Sequence, residues 1–180
     1  MAGKWRRPGA SAAELCRGRC ICRATDGHRS SVRRDPLRAK PLALICDTGP
    51  LYAAMDRADA DHAICKELLM STMEPLLVPA PVLVELDWLA SSRLGVKPFC
   101  SFLADVRAGE ITIVDLLGED YARVDELLTR YADLQLGFVD SAVLAVVERL
   151  GERKLATLDR RHFATVRPRH ADSIELVPVG

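Results

Sequence analysis

No segment of this sequence is apolar for long enough to cross a bilayer. The longest nearly apolar stretch, Pro75 to Leu86, is too short and carries three prolines. The first forty residues lack the continuous apolar core of a signal peptide. Both absences point to a soluble, cytoplasmic protein with no membrane partner. No internal repeat is visible, so a repeat architecture is not expected. Net charge is also absent: 25 Lys and Arg balance 25 Asp and Glu. The six cysteines contain no paired C-x2-C of the kind structural zinc sites use. Cys16, Cys20 and Cys22 run C-x3-C-x-C, and even with His28 nearby this spacing disfavours zinc. Cys46, Cys65 and Cys100 sit in apolar patterns and read as small buried hydrophobes in a reducing compartment.

What is present is enough apolar material for one core. The hydrophobic share of 49% over 180 residues suits a single globular domain rather than a disordered chain. The zero net charge hides an asymmetry. Residues 1–41 hold eleven Lys and Arg against three Asp and Glu, a net of +8, so residues 42–180 carry −8. Residues 1–40 show no sustained apolar period and are rich in Arg, Ala, Gly, Ser and Pro. They read as a basic, disordered extension, dispensable for the fold, with Val32 an alternative start. The ordered domain is expected over 41–180.

Within it, Leu42 to Cys46 is a continuous apolar run, as a strand buried on both faces requires. A short helical stretch is expected after Thr48-Gly49-Pro50, running to Met55, and helices are expected from Asp61 to Thr72, Ala80 to Leu94, Pro98 to Ala108, Glu119 to Tyr131 and Phe138 to Leu150. Further strands are expected at Leu76 to Val78, Ile111 to Val114, Leu155 to Leu158 and Ile174 to Val177. Strands that are apolar throughout, alternating with helices, define an α/β fold in three layers, α/β/α, with a mostly parallel central sheet.

Most acids in this frame have ordinary roles. Asp120, Asp125 and Glu126 lie off the stripe Tyr121, Val124, Leu127, Leu128 and Tyr131, and should face water. Asp105 lies opposite Phe99, Phe102 and Val106 and should do the same. Four acids differ. Asp47 and Asp159 each follow a buried strand, where parallel sheets place their ligand crevice, although a helix cap also explains either one alone. Helical geometry sets Glu85 between Trp88 and Leu89 on an apolar side, with Asp87 and Ser91 on the polar side. A carboxylate there needs a partner, either a buried salt bridge or a cation. Asp140 opens a helix that is apolar nearly all round; it suits either the helix dipole or a site. Together the four make a donor set for a hard divalent cation, Mg²⁺ or Mn²⁺, which can activate water against a phosphodiester.

Four segments carry a resemblance. They are Ile45-Cys-Asp47-Thr-Gly-Pro-Leu51, Val82-Leu-Val-Glu85-Leu, Leu136-Gly-Phe-Val-Asp140-Ser-Ala142 and Ala156-Thr-Leu-Asp159-Arg-Arg-His-Phe163. In order and spacing they resemble the PIN-domain family, specifically its VapC-type toxins, over residues 42–180. The resemblance implies an endoribonuclease that inhibits translation by cutting structured RNA, with tRNA or rRNA as substrates. It implies Mg²⁺ or Mn²⁺ held by Asp47, Glu85, Asp140 and Asp159, a homodimer, and an antitoxin that blocks the pocket. Thr48 and Thr157 stand where they either support the acids by hydrogen bonding or are ordinary polar neighbours. About forty residues precede the first matching segment, which is a departure from the family's usual beginning.

No nucleophile triad is visible, and His62 and His162 read as surface residues. Arg153, Arg160 and Arg161 are candidates for a positive rim on an otherwise acidic body. A dehalogenase-type phosphatase needs a second Asp where Gly49 stands, and a receiver-type pocket needs two adjacent acids where only Asp47 is found. The alternative from another class is a non-catalytic PIN-like module that binds RNA or protein.

Overall fold

The structure is a computed structural model and describes residues 42–179. The expected basic extension, with Cys16, Cys20, Cys22 and His28, lies outside the described residues. The chain runs β1 (Leu44–Cys46), α1 (Thr48–Met55), α2 (His62–Ser71), β2 (Leu76–Pro79), α3 (Ala80–Arg93), α4 (Val96–Ala108) and β3 (Ile111–Val114). It continues through α5 (Gly118–Arg130), a 3-10 turn (Ala132–Leu134), α6 (Phe138–Leu150), β4 (Lys154–Ala156), α7 (Arg160–Thr165) and β5 (Glu175–Val177).

The five strands form one sheet in the order β3-β2-β1-β4-β5. Every pairing is parallel, so the expected mostly parallel sheet is parallel throughout. The central strand is buried along its whole length, as its uninterrupted Leu-Ile-Cys run requires. Helices cover both faces, giving the three-layer α/β/α architecture. From β1 the chain builds outward through β2 to β3, then returns to the other side of β1 as β4. The strand order therefore reverses between β1 and β4, and a crevice opens beyond the ends of these two strands.

The helix that prepares this crevice is α6. Seven consecutive residues, Ser141 to Val147, are buried in it. Its end is set by Gly151, whose φ of 68° is in the left-handed region that glycine tolerates without a Cβ clash. Among the described residues, no helix is long and apolar enough to cross a membrane.

Several expectations need correction. The last residues of the expected strand Leu155 to Leu158 leave the sheet after Ala156, because Asp159 caps α7. Neither α7 nor the 3-10 turn was expected; both are shorter than two helical turns and show no period. Tyr121 and Leu128 are exposed, and the buried face of α5 is Asp120, Arg123, Val124 and Leu127. Asp120 therefore does not face water. It accepts Arg149 Nε through both oxygens, at 3.0 and 2.9 Å, and the Leu117 N–H at 2.8 Å. Asp105 is also buried, and burial, with the nearby Glu110 charge, pushes its carboxyl up to about 6. Asp125 is exposed as expected, whereas Glu126 pairs with Arg123 at 2.8 Å and also with Arg169. Cys46 and Cys65 are buried, as expected, but Cys100 is exposed on α4.

Candidate active site

The crevice at the switch point is a cavity of about 660 Å³. All four singled-out acids, Asp47, Glu85, Asp140 and Asp159, line it. They come from four separate segments. Asp47 stands at the end of β1 and Asp159 two residues beyond Thr157 at the end of β4. Glu85 projects from the second turn of α3 and Asp140 from the first turn of α6.

Asp47 is buried and fully engaged. Its Oδ1 accepts the Thr48 N–H at 2.7 Å, and its Oδ2 accepts the Thr157 hydroxyl at 2.8 Å. The capping explanation of Asp47 is therefore correct and does not compete with its place in the crevice. Burial raises its carboxyl to about 6; the charges of Asp140 and Glu85 push the same way, while Thr157 and Thr48 pull it down. Asp140 accepts the Gly137 N–H at 3.2 Å, which caps α6. Burial raises its carboxyl above the usual range, and Asp159 and Glu85 add to the rise. The Gly137 N–H and His162 act in the opposite direction. Asp159 caps α7 by accepting the His162 N–H at 3.1 Å.

Glu85 reaches the cavity, but the reason given from sequence does not hold. It is exposed, as is Trp88, and α3 buries Val82, Leu86 and Ala90 instead. Asp87 and Ser91 do share an exposed side, where the Ser91 hydroxyl donates to Asp87 at 3.0 Å. What holds Glu85 is the Thr48 hydroxyl, which donates to its Oε2 at 2.5 Å. Thr157 has a second duty: its hydroxyl oxygen accepts the Asp159 N–H at 3.0 Å. Both threonines thus support the acids rather than merely neighbour them. Gly49 lines the same wall, and a Cβ there would meet Leu158 Cβ at 3.3 Å, tighter than ordinary contact.

His162 is the residue the sequence reading missed. Its ring Nδ1 lies 3.0 Å from Asp159 Oδ2 and 3.2 Å from Asp140 Oδ2. The available signal was the i, i+3 step from Asp159, legible only once Asp159 is taken as a helix cap. His62 stays away from the site, with Nδ1 2.9 Å from Ala53 O, and His170 lies 2.6 Å from Glu152 O. Arg160 and Arg161 line the cavity and Arg153 does not. Arg160 also donates to Pro178 O at 2.6 Å, tying the end of β5 to the rim.

An open parallel sheet with its acids gathered at the switch point defines a class: α/β domains whose chemistry sits beyond the strand ends, on side chains far apart in sequence. The chain belongs to the PIN domain family, whose profile matches residues 44–167. It is 31% identical over 135 residues to ribonuclease VapC26 of Mycobacterium tuberculosis, a match spanning 75% of this chain and 100% of that protein. Among solved structures it is similar to M. tuberculosis VapC20, described as a toxin that cleaves the sarcin-ricin loop. That likeness has a TM-score of 0.63 at 21% identity and covers 72% of this chain and 99% of that one. The DNA-bound VapBC of Salmonella typhimurium matches with a TM-score of 0.54 at 14% identity, over 76% of this chain and 97% of the other. These two structural likenesses concern the fold.

Proposed function

We propose that this chain is an endoribonuclease and the toxin of a type II toxin–antitoxin system, hydrolysing RNA phosphodiester bonds in the cytoplasm and inhibiting translation. The observation that carries the proposal is the gathering of four carboxylates from four segments in one cavity at the switch point. Family membership and the ribonuclease relative support it. An intact set of acids argues against a module that only binds.

The same acids are proposed to hold Mg²⁺ or Mn²⁺. As the side chains stand, no three His, Cys, Asp or Glu among the described residues converge tightly enough to grip one ion. The donor chemistry nevertheless suits a hard cation, since every candidate ligand is a carboxylate. The raised carboxyls of Asp47 and Asp140 mark charge that an ion would offset. Asp47, Asp140 and Asp159 would hold it, with Glu85 as a fourth carboxylate. When bound, such an ion activates water for attack and offsets charge on the transferring phosphoryl group.

The chain's own residues do the remainder. The Thr157 hydroxyl holds Asp47 and the Asp159 backbone in one register, and the Thr48 hydroxyl fixes the reach of Glu85. Arg161 gives a body of net charge −8 a positive group beside the acids, where an RNA phosphate would lie. Cognate antitoxin and homodimer contacts are proposed for the exposed apolar side chains, among them Val84 and Trp88 on α3 and Tyr121 on α5. Light scattering at micromolar concentration reads the mass, and a monomer counts against the dimer.

The test is cleavage of structured RNA by the purified chain, with 5′ ends of the products sequenced. Cleavage is expected with Mg²⁺ or Mn²⁺, not in excess chelator, and not in Asp140→Asn. Unchanged cleavage in chelator sinks the metal requirement. Unchanged cleavage by Asp140→Asn sinks the assignment of the site.

A further inference from the structure

His162 does not line the cavity, but its ring lies against two acids that do, Asp140 and Asp159, and the carboxylate chemistry leaves it unexplained. It occupies the third position of α7. Its backbone N–H donates to Asp159 Oδ1 at 3.1 Å, and its ring Nδ1 lies 3.0 Å from Asp159 Oδ2. One residue thus touches both oxygens of Asp159. The same Nδ1 reaches Asp140 Oδ2 on a different helix, at 3.2 Å. That oxygen is held from elsewhere by the Gly137 N–H.

The nitrogen is shut off from water and makes no well-aligned hydrogen bond to either carboxylate. A ring free to choose would swing onto one of them and gain a full bond. This ring is kept between the two. Phe163 and Val166, the flanking anchors of α7, are both 3% exposed and packed in the main core, so the helix cannot turn to favour one acid.

We propose that His162 is a positioning residue, which sets the separation and orientation of Asp140 and Asp159 so that the pair accepts one divalent cation with little rearrangement. This rests on the metal-binding reading above. Two carboxylates on separate helices repel each other and drift apart unless something fixes them. Residues that orient ligands from behind commonly govern metal affinity by about 10–100-fold.

The experiment uses the full chain and three variants, His162→Asn, His162→Gln and His162→Phe. Mn²⁺ alone is titrated calorimetrically, and RNA cleavage is measured as kcat and KM across Mn²⁺ concentrations. An Asn amide nitrogen stands close to where ring Nδ1 was, and a Gln amide nitrogen stands further out. The expected result is a loss of Mn²⁺ affinity of about 10–100-fold in the Phe and Gln variants, with Asn retaining most of the wild-type affinity. Cleavage in the weakened variants should recover at high Mn²⁺ through kcat, with KM for RNA unchanged. Equal affinity in all four proteins overturns the proposal, and so does an equal loss in all three variants. The Asn and Gln contrast decides the matter even where the Phe variant does not fold. Wild type that cleaves RNA but binds no Mn²⁺ overturns the metal reading, and this proposal with it. Wild type that binds Mn²⁺ while His162→Phe binds equally well overturns the positioning role alone.

Discussion

Asp47→Asn should stabilise the metal-free protein at neutral pH while abolishing cleavage. Asp47 is 6% exposed, and its carboxyl is raised from 3.8 to about 6. At about 1.4 kcal/mol per pKa unit, a rise of roughly two units means that ionised Asp47 costs the folded state about 3 kcal/mol at pH 7. A group raised in this way contributes its stability below the unfolded value and loses it as pH climbs through the folded value. Asparagine resembles the protonated form and escapes the penalty. It keeps an acceptor for the Thr48 N–H but can no longer accept the Thr157 hydroxyl, which returns about 1 kcal/mol. The net gain expected in chelator at pH 7 is about 1–2 kcal/mol. It should shrink as pH falls from about 6 towards 4, where wild-type Asp47 takes up its proton. Saturating divalent ion should reverse the order, because mass action at about 100 times Kd stabilises an intact site by about 2.7 kcal/mol. Urea unfolding of both proteins at several pH values, with chelator and with Mg²⁺, gives all these numbers. A variant markedly less stable than wild type in chelator, or a difference that does not change with pH, would refute the reasoning and make Asp47 a structural residue.

Other substitutions probe the supports. Thr157→Val removes the donor to Asp47 and the acceptor for the Asp159 N–H, so it should cost about 1–3 kcal/mol. The loss should be larger at pH 7 than at pH 4, because Thr157 lowers the Asp47 carboxyl; equal losses at both pH values would contradict this. Arg123→Ala strands Glu148, whose oxygens accept Arg123 at 2.7 and 2.8 Å in a mostly buried pair. It should cost about 3–5 kcal/mol by denaturant titration yet leave Mn²⁺ affinity of the folded fraction unchanged. A chain beginning at Pro41 should keep the urea midpoint of the full chain, and a failure to fold would show that the first forty residues are needed. If those residues also contact RNA, their removal should flatten the salt dependence of binding by roughly 0.7–0.9 log units per lost phosphate contact.

Much of the candidate site was legible because its position follows from sheet geometry. Asp47 and Asp159 could be chosen since each follows an apolar strand, and a parallel sheet directs strand ends to the crevice. Asp140 followed from the buried character of α6. Glu85 was found for an incomplete reason: periodicity orders the side chains around α3 but does not say which side meets the core. The structure buries Val82, Leu86 and Ala90 and leaves Glu85 open. The same gap misplaced Asp120. Its face of α5 is buried because Arg149 on α6 offers a partner, and one helix's period carries no trace of another helix's arginine. His162 was invisible for a third reason. Its helix has six residues, too few to show a period, so the step from Asp159 could not be read as one face.

The strand order also bears on how the protein is made. β1 sits at the centre of the sheet, and one of its two neighbours is β4, residues 154–156. During synthesis the first strand emerges early but lacks that neighbour until most of the chain has followed it. Asp159, which completes the acidic crevice, comes later still, 112 positions after Asp47. A growing chain therefore carries isolated carboxylates and no assembled pocket. The acidic crevice is thus closed only in the final stretch of the chain's own manufacture.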